Sequence, residues 1–138
     1  MRIARVLAIV MGMSVAACGC QTIGTGSNAA AQEEGKQALR KMVSDRSSYV
    51  GKPQTVTVMV ETSSNYLWGY EKDKADLYAF ELPGVNSLRL YAYGPKKEFS
   101  GLFDHASKTG KAVAKITIEP SSRTDHENMF DLVSWEKP

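Results

Sequence analysis

The sequence predicts a mainly β domain with helices. The expected architecture is a five-stranded Greek-key barrel with a helix between its third and fourth strands, preceded by an N-terminal helix. Two observations carry this. Beyond about position 54 apolar residues recur with period two, in blocks separated by Gly, Pro and polar residues. Phe99, Leu102, Phe103 and Ala106 interrupt that rhythm at helical spacing, placing an amphipathic helix among the strands. At 138 residues the chain is sized for one domain, and 43% hydrophobic with 23% charged residues is globular composition.

Each element follows from local pattern. Val56, Val58 and Val60 alternate with Thr55, Thr57 and Met59 after a Gly51-Lys52-Pro53 turn, giving the first strand. Tyr66, Trp68 and Tyr70 alternate next, and Leu77–Leu82 follows. The sign-alternating run Glu71-Lys72-Asp73-Lys74-Ala75-Asp76 between them reads as a solvated hairpin tip. Pro83-Gly84 signals a turn. Val85–Tyr93 is the third strand, with Leu88, Leu90 and Ala92 on one face and Arg89, Tyr91 and Tyr93 on the other. The helix closes at Gly110, and Val113–Glu119 and Met129–Trp135 supply strands four and five around the polar loop Pro120–Asn128. Upstream, Ala29–Val43 reads as a helix, with Glu33 and Glu34 in its first turns, Gly35 weakening its middle, and Ala38, Leu39, Met42 and Val43 as a narrow apolar stripe.

The N-terminus carries an address. Met1–Arg5 is basic, and the apolar run Val6–Val15 is too short to span a bilayer but suits a signal-peptide core. It ends in Val15-Ala16-Ala17-Cys18, which resembles the lipobox of bacterial lipoprotein precursors. That resemblance implies removal of residues 1–17, acylation of Cys18 (palmitate and related chains), and membrane attachment. Gly19 stands where an Asp would favour inner-membrane retention, so the implied location is the outer membrane, facing the periplasm. The other readings are a conventional signal peptide cut after an A-x-A-like site, or an uncleaved anchor. Residues 18–31, rich in Gly, Ser, Thr, Asn and Ala, read as a lipidated flexible tether, and residues 32–138 as the domain with its flanking helix. Cys20 has no role that the sequence assigns.

The order strand, strand, strand, helix, strand, strand is that of an OB-fold. Tyr49-Val50-Gly51-Lys52 leading into the Val-alternating strand resembles small secreted OB domains of the tRNA-anticodon-like type, over roughly Leu39–Glu136. A helix-capped β-sandwich or meander is the other arrangement compatible with this order. OB barrels bind ligands on the face of strands two and three and in adjacent loops. The candidate ligand face is therefore Tyr66, Trp68, Tyr70, Arg89, Tyr91 and Tyr93, suited to stacking against a peptide side chain or a sugar; the competing role for these rings is wall packing. Arg123, Asp125 and His126, in the loop before the last strand, are second-tier contacts.

Charge and motifs exclude other classes. Without the leader, which holds Arg2 and Arg5 and no acid, the basic and acidic side chains balance, so nothing draws the domain to nucleic acid. Asp104-His105 and Asp125-His126 join adjacent residues, which point apart and form no dyad by spacing. No G-x-S-x-G, H-E-x-x-H or phosphate-cradling loop is present. The sequence thus calls for no catalytic residue, metal or cofactor. It suggests a non-enzymatic binding module for an envelope protein or peptide, with a glycan (peptidoglycan) binder or an inhibitor of an envelope-directed hydrolase as the alternatives.

Overall fold

The computed structural model describes residues 24–137, with side chains from Asn28 onward. Residues 1–17, expected to be a leader, lie outside the described residues, as do Cys18 and Cys20. Gln32–Pro138 form a compact unit, and the fold below is that of this unit.

The strands are β1 (Gln54–Ser63), β2 (Leu77–Val85), β3 (Leu88–Pro95), β4 (Lys111–Pro120) and β5 (Met129–Glu136). Their order around the wall is β1-β2-β3-β5-β4, and β4 closes onto β1. Every pairing is antiparallel except β3 with β5. This is the OB-like barrel that the element order predicted. Period-two alternation fills it: Val56, Val58, Val60, Leu90, Ala92, Ala114, Ile116 and Ile118 point inward and are buried.

Helices close the two ends. Helix α1 (Gly24–Ser44) inserts Leu39 and Met42, both 0% exposed, into the barrel core beside the β2–β3 turn. Helix α2 (Lys96–Ser107) inserts Phe99 and Leu102 at the opposite end. Phe103 is half-buried and stacks on Tyr78 with ring centroids 4.3 Å apart. Gly35 lies against the β1 backbone, where an added Cβ would stand 2.4 Å from the Thr57 carbonyl oxygen. A glycine that weakens the isolated helix is the residue that lets this helix dock.

Three local expectations are corrected. Helix α1 begins at Gly24 rather than Ala29. Ser27–Ala31 contains no Pro or Gly, so the helix extends into the stretch read as tether, and Glu33 and Glu34 sit mid-helix. Pro83-Gly84 is not the hairpin turn; both lie within β2, at a register shift between Leu82 and Val85. Asn86-Ser87 makes the turn, with φ of 50° and 69°, the left-handed pair that matches strand twist in a two-residue hairpin. Finally, residues 64–76 form no strand. They make a turn and a short 3-10 helix, Glu71–Asp73. The alternation of Tyr66, Trp68 and Tyr70 had imitated a strand, but Trp68 takes φ 47° and Gly69 φ 99°, which reverses the chain.

Candidate functional site

Folded back, the β1–β2 loop covers the outer surface of β2, β3 and the start of β5. Tyr70, Tyr91 and Tyr93 are 1–3% exposed there and pack with Leu77, Ala79 and Met129 in a second apolar cluster, flanked by the half-buried Tyr66 and Leu67. Tyr70 and Tyr93 stack at 4.0 Å and 14°, and Tyr66 tilts against Tyr93 at 5.8 Å. β3 is therefore buried on both faces, which its alternating sequence does not reveal.

The hydroxyls bind the loop down. Tyr93 donates to the Asn65 carbonyl at 2.9 Å and accepts from Leu67 N–H at 3.3 Å. Tyr66 donates to the Leu77 carbonyl at 2.8 Å, and Asn65 Nδ2 donates to Tyr91 at 3.2 Å. Tyr70 donates to Asp131 and bonds Ser121 Oγ at 2.6 Å. Burial raises the pKa of Tyr70, with the Asp131 hydrogen bond adding to it, and burial pushes Tyr93 up to about 12.

The loop before β5 locks onto the β1–β2 loop. Arg123 pairs with Asp73, donates to the Gly69 carbonyl at 3.2 Å, and lies 4.7 Å above the Tyr70 ring. Its own N–H donates to Ser121 Oγ at 3.0 Å. Asp131 accepts from the Ser122 N–H at 3.1 Å and from its hydroxyl at 3.2 Å. From behind, Arg46 donates to the carbonyls of Ser121 and Thr124 at 2.6 and 2.5 Å. The result is one cross-linked platform.

At its tip stands Trp68, 48% exposed, with its ring 4.0 Å from that of His126 and 20° from parallel. Gly69 N–H donates to Glu71 at 2.8 Å. The Glu71 carboxyl is held below its usual range by its own N–H and then by that of Gly69. Among the described residues Val50, Trp68 and Val133 are the exposed large hydrophobics. Trp68 alone of the three is aromatic.

The six first-tier candidates thus divide. Tyr66, Tyr70, Tyr91 and Tyr93 come together as a packed cluster, closed by their own loop. Arg89 lies at the cluster's edge beside the Tyr91 hydroxyl, its side chain 70% exposed and 3.7 Å from Glu81. Only Trp68 offers a large aromatic surface. In the second tier, Arg123 is an internal lock, His126 is Trp68's stacking partner, and Asp125 is exposed. Arg46, Ser121 and Asp131 belong to the platform, yet no sequence signal marks them, because they meet only across long sequence separations. His105 Nε2 donates to the Val113 carbonyl, 3.0 Å away. Among the described residues no group of three or more His, Cys, Asp or Glu is placed to hold a metal ion, and no helix is long and apolar enough to cross a membrane. Comparison with protein-family models, characterised proteins and solved structures finds no match for this chain.

Proposed function

We propose that the chain is a non-enzymatic binding module of the bacterial envelope. It is held to the outer membrane by lipid at Cys18, faces the periplasm, and docks an envelope protein or peptide through the Trp68–His126 tip. The observation that carries this reading is Trp68, an exposed tryptophan at positive φ on a platform cross-linked from two loops. Left-handed backbone costs a non-glycine residue about 1–2 kcal/mol. Covering the exposed 48% of Trp68 would remove roughly 100 Å² of largely apolar surface, about 2–3 kcal/mol of association energy. A rigid, solvated aromatic anchor is the usual form of an interface hot spot. Tethering to the same membrane as its partner would raise the effective concentration, so a modest interface suffices.

The test purifies the full-length lipoprotein and its Trp68→Ala variant side by side from detergent-solubilised envelopes. A partner recovered with the parent and depleted roughly tenfold or more with the variant, at equal thermal stability, supports the reading. Identical co-purifying sets refute it. Metabolic labelling with palmitate, abolished in Cys18→Ala, tests the anchor separately.

A further inference from the structure

Around the barrel from Trp68, the outer faces of β1, β4 and β5 form a half-open depression. Its volume is about 340 Å³, and Thr55, Lys115, Thr117, Ser134, Trp135 and Glu136 line it. Register builds it. Thr117 stands opposite Thr55 on one side and Ser134 on the other, so three hydroxyls cross three strands in a row. In a neighbouring row Lys115 stands opposite Glu136. The β4–β5 register slips between Thr117 and Ile118, leaving Val133 unpaired and 44% exposed. That extra residue turns Ser134 outward and sets Trp135 at the edge, against Gly101 of α2.

The lining is neutral overall and dense in groups that both donate and accept. Thr55 and Thr117 share one hydrogen bond at 2.8 Å, which leaves further acceptor capacity on both hydroxyls. Lys115 and Glu136 stand 3.5 Å apart with side chains 47% and 68% exposed, so they are loosely paired and free to re-pair at small cost. Trp135 adds an apolar wall at one end. An ion of either sign would meet its own charge as well as the opposite one. A neutral polyol is matched throughout: its hydroxyls meet donors, acceptors and amphoteric groups, and its C–H face meets the indole. Two strand spacings make the hydroxyl row roughly 10 Å long, about the length of a disaccharide, and the volume lies within the usual range for small-ligand sites.

We propose that this depression is a binding site for a neutral glycan chain, with Thr55, Thr117 and Ser134 along the sugar hydroxyls, Lys115 and Glu136 as charged hydrogen-bond partners, and Trp135 as the apolar contact. The site is separate from the Trp68 tip and does not rest on the function proposed there.

The experiment titrates full-length lipoprotein, in a detergent without a sugar headgroup, with chitotetraose while observing the two indole N–H signals by NMR. The expected result is a saturable shift of Trp135 with Trp68 silent. Thr117→Val keeps the strand but removes the central hydroxyl, and Glu136→Gln removes the charged acceptor; each is expected to weaken binding about tenfold with the melting curve unchanged. The inference is overturned if Trp135 stays still at millimolar sugar, if the shift appears at Trp68 instead, or if both variants bind as the parent does. Partner capture at Trp68 is read by co-purification, so either proposal can fail alone.

Discussion

Gly35→Ala separates the intrinsic preference of a helix from its packing. In an exposed helix interior the change would stabilise by about 1 kcal/mol, because Ala loses less backbone freedom and propagates the helix better. In this barrel the new methyl would lie 2.4 Å from the Thr57 carbonyl oxygen and 2.8 Å from Val58 Cγ1. The first contact is backbone and cannot rotate away, so α1 must lift by roughly 1 Å to restore ordinary separation. Leu39 and Met42, 0% exposed on the same helix, would then lose close packing. Strain of this kind costs about 1–3 kcal/mol. If α1 undocks, the limit is the burial of those two side chains, roughly 3–6 kcal/mol. Against the propensity gain of about 1 kcal/mol, strain alone leaves about 0–2 kcal/mol of destabilisation and undocking about 2–5 kcal/mol, a fall in Tm of about 4–8 °C per kcal/mol. Thermal melts of the full-length protein followed by far-UV circular dichroism would measure it. Lys36→Ala, at an exposed neighbouring position, is the control and should change little. A Gly35→Ala variant more stable than the parent, by the full propensity gain, would refute the reasoning, since it would mean that α1 does not rest on β1 at this point.

Three further outcomes are expected. Arg123→Ala removes the Asp73 pair, the Gly69 hydrogen bond and the contact over Tyr70, for about 1–2 kcal/mol after allowing for solvent exposure; faster amide exchange in residues 64–73 should report the loosened loop, and unchanged exchange would remove Arg123 from the lock. Ser87→Gly relieves a residue at φ 69° and should stabilise by about 0.5–1 kcal/mol in denaturant melts, whereas no gain would argue against this turn geometry. Tyr93, raised by burial to about 12 from the usual 10.0, contributes stability that is complete below pH 10 and is lost as pH rises through 12, because the unfolded chain ionises first; a phenolate titration in which every tyrosine ionises together near pH 10, with the fold intact, would contradict the closed cluster.

Much of the barrel is written locally. Val56, Val58 and Val60 can bury one face only as a strand, and Phe99, Leu102 and Ala106 can do so only as a helix, so identity and order of these elements follow from periodicity alone. The resemblance of Val15-Ala16-Ala17-Cys18 to a lipobox is likewise a property of the linear chain. Residues 64–76 were not legible in that way, because period two there records no strand. The side chains of Tyr70 and Tyr93 are aligned by contacts between a loop and a sheet distant in sequence, and Trp68 is turned outward by a backbone reversal that alternation cannot signal. Only the closed barrel decides that Tyr70, Tyr91 and Tyr93 are sealed and one tryptophan is left in water. The same holds for Gly35, whose value appears only when β1 stands beside it, and for the hydroxyl row, which exists because register sets Thr55, Thr117 and Ser134 abreast. Periodicity reports which face a residue takes within its own element. What covers that face is settled by long-range packing, where the energy of burial and hydrogen bonding outweighs local preference.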